Sequence, residues 1–169
     1  MIKKIVFTFI FYCITATCVA QYCSCIAVVK NSSGTETKSG TVKSNDAFSL
    51  LFQKELNPSD LTVEPVYYLS LEGKSKEVFS NSLIKDTGKI ELFLKDKSKL
   101  VLEKARCFYN PISSGFGIIF GATITKEQLE ILLVNPIVTF SAFDIVKTSF
   151  KEKKQMEQQI IVSCLLNDK

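Results

Sequence analysis

The fold class is decided by the stretch KIELFLKDKSKLVL, residues 89–102. Isoleucine and leucine alternate there with Glu91 and Phe93, which is the period-two pattern of a half-buried strand. The charged run of residues 95–98 is typical of a turn, and the alternation resumes through residues 100–104. We therefore predict an antiparallel β-hairpin at this point of the chain.

Outward from this hairpin, four more segments carry strand patterns. Residues 47–56 alternate phenylalanine and leucine with more polar positions, and residues 62–71 are dense in valine, tyrosine and leucine. Residues 116–124 place phenylalanine and isoleucine on one face and glycines on the other, which suggests a bulge or a close backbone approach. Residues 137–148 are strand-like, with a tight turn expected at Phe143-Asp144.

Two helices are predicted from capping boxes, in which a Ser or Thr cap and a Glu or Gln three residues later satisfy each other's backbone N–H groups. Thr125 with Gln128 opens the first, which Asn135-Pro136 halts. Ser149 with Glu152 is expected to open the last helix. The apolar stripe predicted on that helix consists of Met156, Ile160, Ile161, Cys164 and Leu165.

Strands, helix, strands and helix in this order predict an α+β fold, with a mainly antiparallel sheet and one or two helices packed on one face. We expect it to form a single domain over residues 46–169. Residues 21–45 are expected to be a polar N-terminal segment or tether, because residues 30–45 are rich in Ser, Thr and Gly. Within this segment, residues 26–29 are a short apolar run that suggests an edge strand.

Residues 1–20 have the layout of a cleaved signal peptide. Lys3 and Lys4 precede an apolar run, and small residues end at Ala20. A periplasmic or secreted protein is therefore expected, without an integral membrane segment after cleavage. A lipid-anchored envelope protein is the alternative, but the tripeptides before Cys18 and Cys23 fit a lipidation signal poorly.

Four cysteines follow the predicted cleavage site: Cys23, Cys25, Cys107 and Cys164. An even number in an oxidising compartment favours disulfides, and four cysteines allow three connectivities. Because a link between Cys23 and Cys25 would close a very tight ring, at least one long-range disulfide to Cys107 or Cys164 is favoured. Such a link would anchor the N-terminal segment to the domain.

Charge and composition exclude several functions. The chain of 169 residues has 21 basic and 17 acidic side chains, a net charge of +4. So small a charge predicts no affinity for nucleic acid. Histidine is absent, which excludes a Ser-His-Asp or Cys-His hydrolase within this chain. The glycines near residues 113–117 lack the Gly-Lys-[Ser/Thr] ending of a phosphate loop, and no cofactor or metal site is expected.

Four aromatic residues are candidates for a binding surface: Tyr67, Tyr68, Phe108 and Tyr109. The alternative is that they belong to the core, and adjacent strand residues such as Tyr67 and Tyr68 face opposite sides. We therefore expect a non-enzymatic domain that binds a protein, a glycan or an envelope component. The alternative is a small extracytoplasmic enzyme that uses carboxylates or the Cys-x-Cys pair.

Four motifs together are similar to those of a known group of proteins. They are YYLSL at residues 67–71, KIELFLKD at 89–96, ITKEQL at 124–129 and PIV at 136–138. With the closing lysine-rich helix, the chain resembles small uncharacterised exported proteins of Bacteroidetes-type bacteria over about residues 60–166. The resemblance implies export and an α+β class, and glutamine after the cleavage site suits that group. It implies no functional residues.

Overall fold

The computed structural model describes residues 23–32, 34–46, 48–57, 59–60, 62–75, 87–112 and 115–167. The predicted signal peptide, residues 1–20, lies outside the described residues.

The described residues form nine strands, two helices and one 3-10 turn at Cys23–Cys25. The strands are β1 (Ala27–Lys30), β2 (Glu36–Lys43), β3 (Phe48–Leu56), β4 (Val66–Ser75), β5 (Gly88–Leu94), β6 (Lys99–Ile112), β7 (Gly115–Ile124), β8 (Ile137–Ala142) and β9 (Val146–Ser149). The helices are α1 (Lys126–Val134) and α2 (Glu152–Asn167).

All nine strands belong to one antiparallel sheet in the order β1-β2-β3-β4-β7-β6-β5-β8-β9. Strands β1 to β4 follow one another in space as they do in sequence. Strand β7 then pairs with β4, with Leu69 opposite Ala122, and the second half runs backwards through β6 and β5. The predicted hairpin is confirmed as β5 and β6 at the centre of this second half.

Strand β6 joins the two halves because its first part pairs with β5 and its second part with β7. Between these parts, one residue of β5, Lys89, opposes two of β6, Glu103 and Lys104, since Ile90 faces Leu102 and Gly88 faces Ala105. This is a β-bulge. Lys104 lies inside it in a left-handed conformation, with φ of 57°, and the expected alternation therefore breaks between Leu102 and Ala105.

One face of the sheet, which we call the inner face, forms a single apolar core. Phe52, Leu69, Leu92, Phe120 and Phe140 are fully buried there. Helix α2 packs against β2, β3 and β8, and therefore lies across strands from both halves of the sheet. The molecule is largely β. The expectation that the helices pack on one face of the sheet is confirmed in part, because they also pack at the end of the sheet.

Two glutamines fasten helix α2 by hydrogen bonds that the sequence patterns did not indicate. The buried Gln158 amide accepts from the Ile137 N–H at 2.9 Å and donates to the Ile137 carbonyl at 3.1 Å. Gln159 Nε2 donates to the Leu133 carbonyl of α1 at 2.7 Å. Backbone groups at the start of β8 and the end of α1 are thereby satisfied.

The expected tether is corrected over residues 36–43, which form β2 of the sheet, whereas the edge strand suggested by residues 26–29 is found as β1. The inner positions of β2 are Lys38, Gly40 and Val42, so only one of them is a large apolar residue and no alternation is visible. Gly40 is required by packing, since a Cβ there would lie 2.6 Å from Cγ2 of Ile161. Helix α2 approaches the β2 backbone closely at this point.

The first capping box is confirmed: the Gln128 N–H donates to Thr125 Oγ1, and Gln128 Oε1 accepts from the Thr125 N–H. The second is wrong, because Ser149 ends β9 and the helix begins at Glu152. The predicted stripe on α2 is confirmed in part. Ile161, Cys164 and Leu165 are buried as expected, whereas Met156 is exposed and Gln158 and Val162 are buried as well.

Candidate functional site

The opposite face of β3, β4, β7 and β6 carries a groove of about 550 Å³, which we call the outer-face groove. Its lining is formed by Gln53, Tyr68, Leu69, Ser70, Glu72, Lys104, Arg106, Phe108, Ile119, Gly121, Ala122 and Thr123. This volume lies within the range of natural ligand sites.

The register of the strands explains why these residues meet. Ser70 of β4 lies opposite Gly121 of β7, which in turn lies opposite Arg106 of β6. This row forms the floor of the groove. The row on one side begins with Tyr68, and the row on the other contains Ile119 beside Phe108.

The hollow exists because two small residues share the floor row. Ser70 is buried although it lies on the outer face, and Gly121 contributes no side chain. A Cβ added at Gly121 would lie 3.5 Å from the Ser70 Cβ, which is an ordinary contact. A larger side chain at Gly121 would therefore occupy groove volume without forcing the backbone apart.

Tyr68 is held in place at the β3 side of the groove. Its pKa is raised, first by partial burial and then by the charge of Glu55 and a hydrogen bond to that carboxylate. The phenol therefore stays neutral and donates its hydrogen to Glu55. The ring of Tyr68 presents an apolar surface to the groove, and its hydroxyl is already used at the rim.

The opposite end of the groove is positively charged. Lys104 and Arg106 lie on β6 and are both exposed. Among the residues that the structure describes, neither forms an ion pair with a carboxylate. Glu72 lies on β4, two strands away from β6, which corresponds to about 10 Å at the usual strand spacing. The groove is therefore polarised along its length.

The four aromatic candidates divide between the two faces. Tyr68 and Phe108 line the outer-face groove, and Phe108 is 52% exposed. Tyr67 is buried on the inner face, with Lys54 Nζ 6.0 Å from its ring centroid, and Tyr109 is half-buried against the core. The expected division of Tyr67 and Tyr68 between opposite sides is what the sheet produces.

Ser70, Gly121, Lys104 and Arg106 were not among the predicted site residues. In the sequence, the glycines within residues 116–124 were the only indication that this part of the sheet is unusual. Their convergence depends on the pairing of β4 with β7, which are distant in sequence.

A disulfide joins Cys23 to Cys164, with the two Cα atoms 5.5 Å apart. The favoured long-range link to the N-terminal segment is therefore confirmed. This bond uses Cys23 of the Cys-x-Cys pair, whereas Cys25 lies outside the disulfide and is exposed. Cys107 is a thiol on the inner side of β6, and burial raises its pKa.

The described carboxylates whose pKa is shifted have an electrostatic character unlike that of a general acid. Every resolved shift of a carboxyl pKa in this part of the chain is downward. For Glu91 the causes are first the hydrogen bonds from Lys99 and Lys89, and for Asp96 those from Ser98 and Asn135. A general acid at neutral pH needs a raised pKa. Within the described residues, no group of three metal-ligating side chains comes together.

No family model, curated protein or solved structure matches this chain. The described helices include none that is both long enough and apolar enough to cross a membrane.

Proposed function

We propose that this protein is an exported, non-enzymatic binding domain whose outer-face groove holds an extended peptide segment of a partner protein. The observation that carries this proposal is the hollow above Ser70 and Gly121, flanked by Tyr68, Phe108 and Ile119. Tyrosine, phenylalanine and arginine are the residue types enriched in protein interfaces.

The dimensions of the groove favour a chain segment as the ligand. From β3 to β6 it spans three strand spacings, about 14 Å, which is the length of about four extended residues. Its walls remain open to solvent, since Phe108 and Thr123 are exposed. A ligand here would bury one side and leave the other in water, as a segment of a larger molecule does.

The disulfide supports the exported part of the proposal. A bond between Cys23 and Cys164 persists in an oxidising compartment such as the periplasm or the outside medium. This agrees with the leader-like pattern of residues 1–20. The mature protein would then meet its partner in the cell envelope.

The test is selection of binding peptides from a random displayed library by the oxidised mature protein. Gly121→Val fills the floor of the groove, while Ser141→Val places the same side chain on the outer face of β8, away from the groove. We expect peptides that bind the wild type and Ser141→Val equally and bind Gly121→Val at least about tenfold more weakly, since a lost pocket contact of this kind costs more than 1 kcal/mol.

Circular dichroism and the thermal midpoint establish that each variant is folded. If Gly121→Val does not fold, Gly121→Ala provides the same comparison with a smaller side chain. Selection that yields no peptide, or peptides whose affinity is the same for all variants, would overturn the proposal.

A further inference from the structure

We infer that the peptide held in the outer-face groove is acidic, with a carboxylate side chain at the β6 end and an apolar side chain beside it. This inference rests on the function proposed above and specifies its ligand. The carboxylate would lie against Arg106 and Lys104, and the apolar side chain against Phe108 and Ile119.

The first argument is charge complementarity. Lys104 and Arg106 are two residues apart on the same strand, and both line the groove. Neither is neutralised by an ion pair within the described part of the chain. An arginine guanidinium binds a carboxylate through two parallel hydrogen bonds. An anionic ligand group would therefore satisfy donors that the described protein leaves to water.

The nearest acidic neighbour in sequence, Glu103, forms no ion pair with Lys104 or Arg106 within the described residues. Its charge contributes to the raised pKa of Lys89 on β5, of which the hydrogen bond to Glu91 is the main cause. The other acidic residues near the groove, Glu55 and Glu72, lie on β3 and β4, at the opposite end.

The second argument is the bulge in β6. Without the extra residue between Leu102 and Ala105, strict alternation would place residue 104 on the inner face. The bulge keeps Ala105 in the core and places Lys104 in the groove lining. It does so with a left-handed backbone that is unfavourable for lysine. Bulges often re-aim a side chain beside a functional site.

The experiment compares charge variants on the peptides that the selection yields. Arg106→Gln removes a charge in the groove. Lys153→Gln removes the same charge from an exposed position on α2, so both variants have equal net charge. Affinities are measured at low and moderate salt by fluorescence anisotropy. Arg106→Lys is added to test the bidentate geometry.

We expect most selected peptides to contain Asp or Glu next to an apolar residue. Arg106→Gln should weaken them about tenfold, the usual size of a charge-assisted hydrogen bond, and Lys153→Gln less than about twofold. Changing the peptide's acid to its amide should weaken binding to the wild type but not to Arg106→Gln. This double-mutant cycle measures the pair itself.

Two results would count against the inference in distinguishable ways. Groove-dependent peptides without an acidic residue, or peptides indifferent to Arg106→Gln, overturn the acidic ligand and leave the binding groove standing. The absence of any groove-dependent peptide overturns both the inference and the proposed function.

Discussion

On the inner face of β4 and β7, Leu69, Leu71 and Phe120 are fully buried, whereas Ser70 and Gly121 on the outer face of the same strands leave a hollow. The two faces are separated by one residue in sequence. The inner face gains its stability from apolar area removed from water. The outer face lacks such packing above Ser70 and Gly121, and aromatic and cationic side chains surround the hollow there.

This difference predicts that inner-face residues of these strands determine the stability of the fold, whereas outer-face residues determine peptide binding. A change on the inner face should alter the free energy of unfolding and leave the groove's chemistry unchanged. A change on the outer face should do the reverse.

The largest effect is expected from a matched pair of phenylalanines. Phe120→Ala should lower the free energy of unfolding by about 3–5 kcal/mol because it opens a cavity in a packed core. Phe108→Ala should lower it by less than about 0.5 kcal/mol because the side chain is half exposed. Urea denaturation measures both values, and equal losses would contradict the division of the faces.

The disulfide should have the next largest effect. Cys164→Ser should destabilise the oxidised protein by about 2–4 kcal/mol, since the bond restricts a long loop of the unfolded chain. Cys107→Ser is the control, because that thiol is outside the disulfide. A control variant as unstable as Cys164→Ser would show that loss of a half-buried cysteine, and not of the bond, is responsible.

The buried amide of Gln158 should come third. Gln158→Ala leaves the N–H and carbonyl of Ile137 without their side-chain partner, at an expected cost of about 1–3 kcal/mol. Gln159→Ala removes a single bond to Leu133 and should cost less. Thermal unfolding of the two variants gives the comparison, and a larger effect at Gln159 would refute this account of how α2 is fastened.

A small effect of opposite sign is expected in the groove. Gly121→Ala should stabilise the protein by up to about 0.5 kcal/mol, because glycine weakens a strand and the added Cβ meets only ordinary contacts. The same change should weaken peptide binding. Stabilisation with unchanged binding would mean that the floor of the groove does not meet the ligand.

The smallest effect concerns the titration of Tyr68. Its pKa lies above the usual 10.0, with burial as the main cause and Glu55 as a further one. Stability from this raised pKa is present below pH 10 and is lost as the pH rises through the folded value. Glu55→Gln should lower the Tyr68 pKa, as seen by tyrosinate absorbance with Tyr68→Phe as the reference. An unchanged Tyr68 pKa in Glu55→Gln would show that Glu55 does not act on the Tyr68 hydroxyl.

Elements whose inner positions are mostly large and apolar could be predicted from the sequence. Strand β3 has Phe48, Leu50 and Phe52 at successive inner positions, and β5 is equally regular with Ile90, Leu92 and Leu94. Strand β2 could not be found in this way, because Gly40 takes an inner position so that Ile161 can approach. The space left by the absent side chain of Gly40 is filled by Ile161 of helix α2, about 120 residues later in the chain.

The groove shows the same limit more strongly. Local patterns placed Tyr68 and Phe108 among the candidates, and the glycines of β7 marked one unusual face. The meeting of Ser70, Gly121 and Arg106 depends on β7 pairing with β4 as well as with β6, and no local pattern encodes the pairing with β4. Lys104 was expected to continue an alternation that the bulge interrupts.

The bond between Cys23 and Cys164 also makes a closed ring of the intervening chain. A protease that cuts this ring once would leave two pieces that migrate as one until they are reduced. A pulling force applied at these two residues would pass through the sulfur atoms and bypass the ladder of strands. The sheet would then be shielded from tension by a single covalent link.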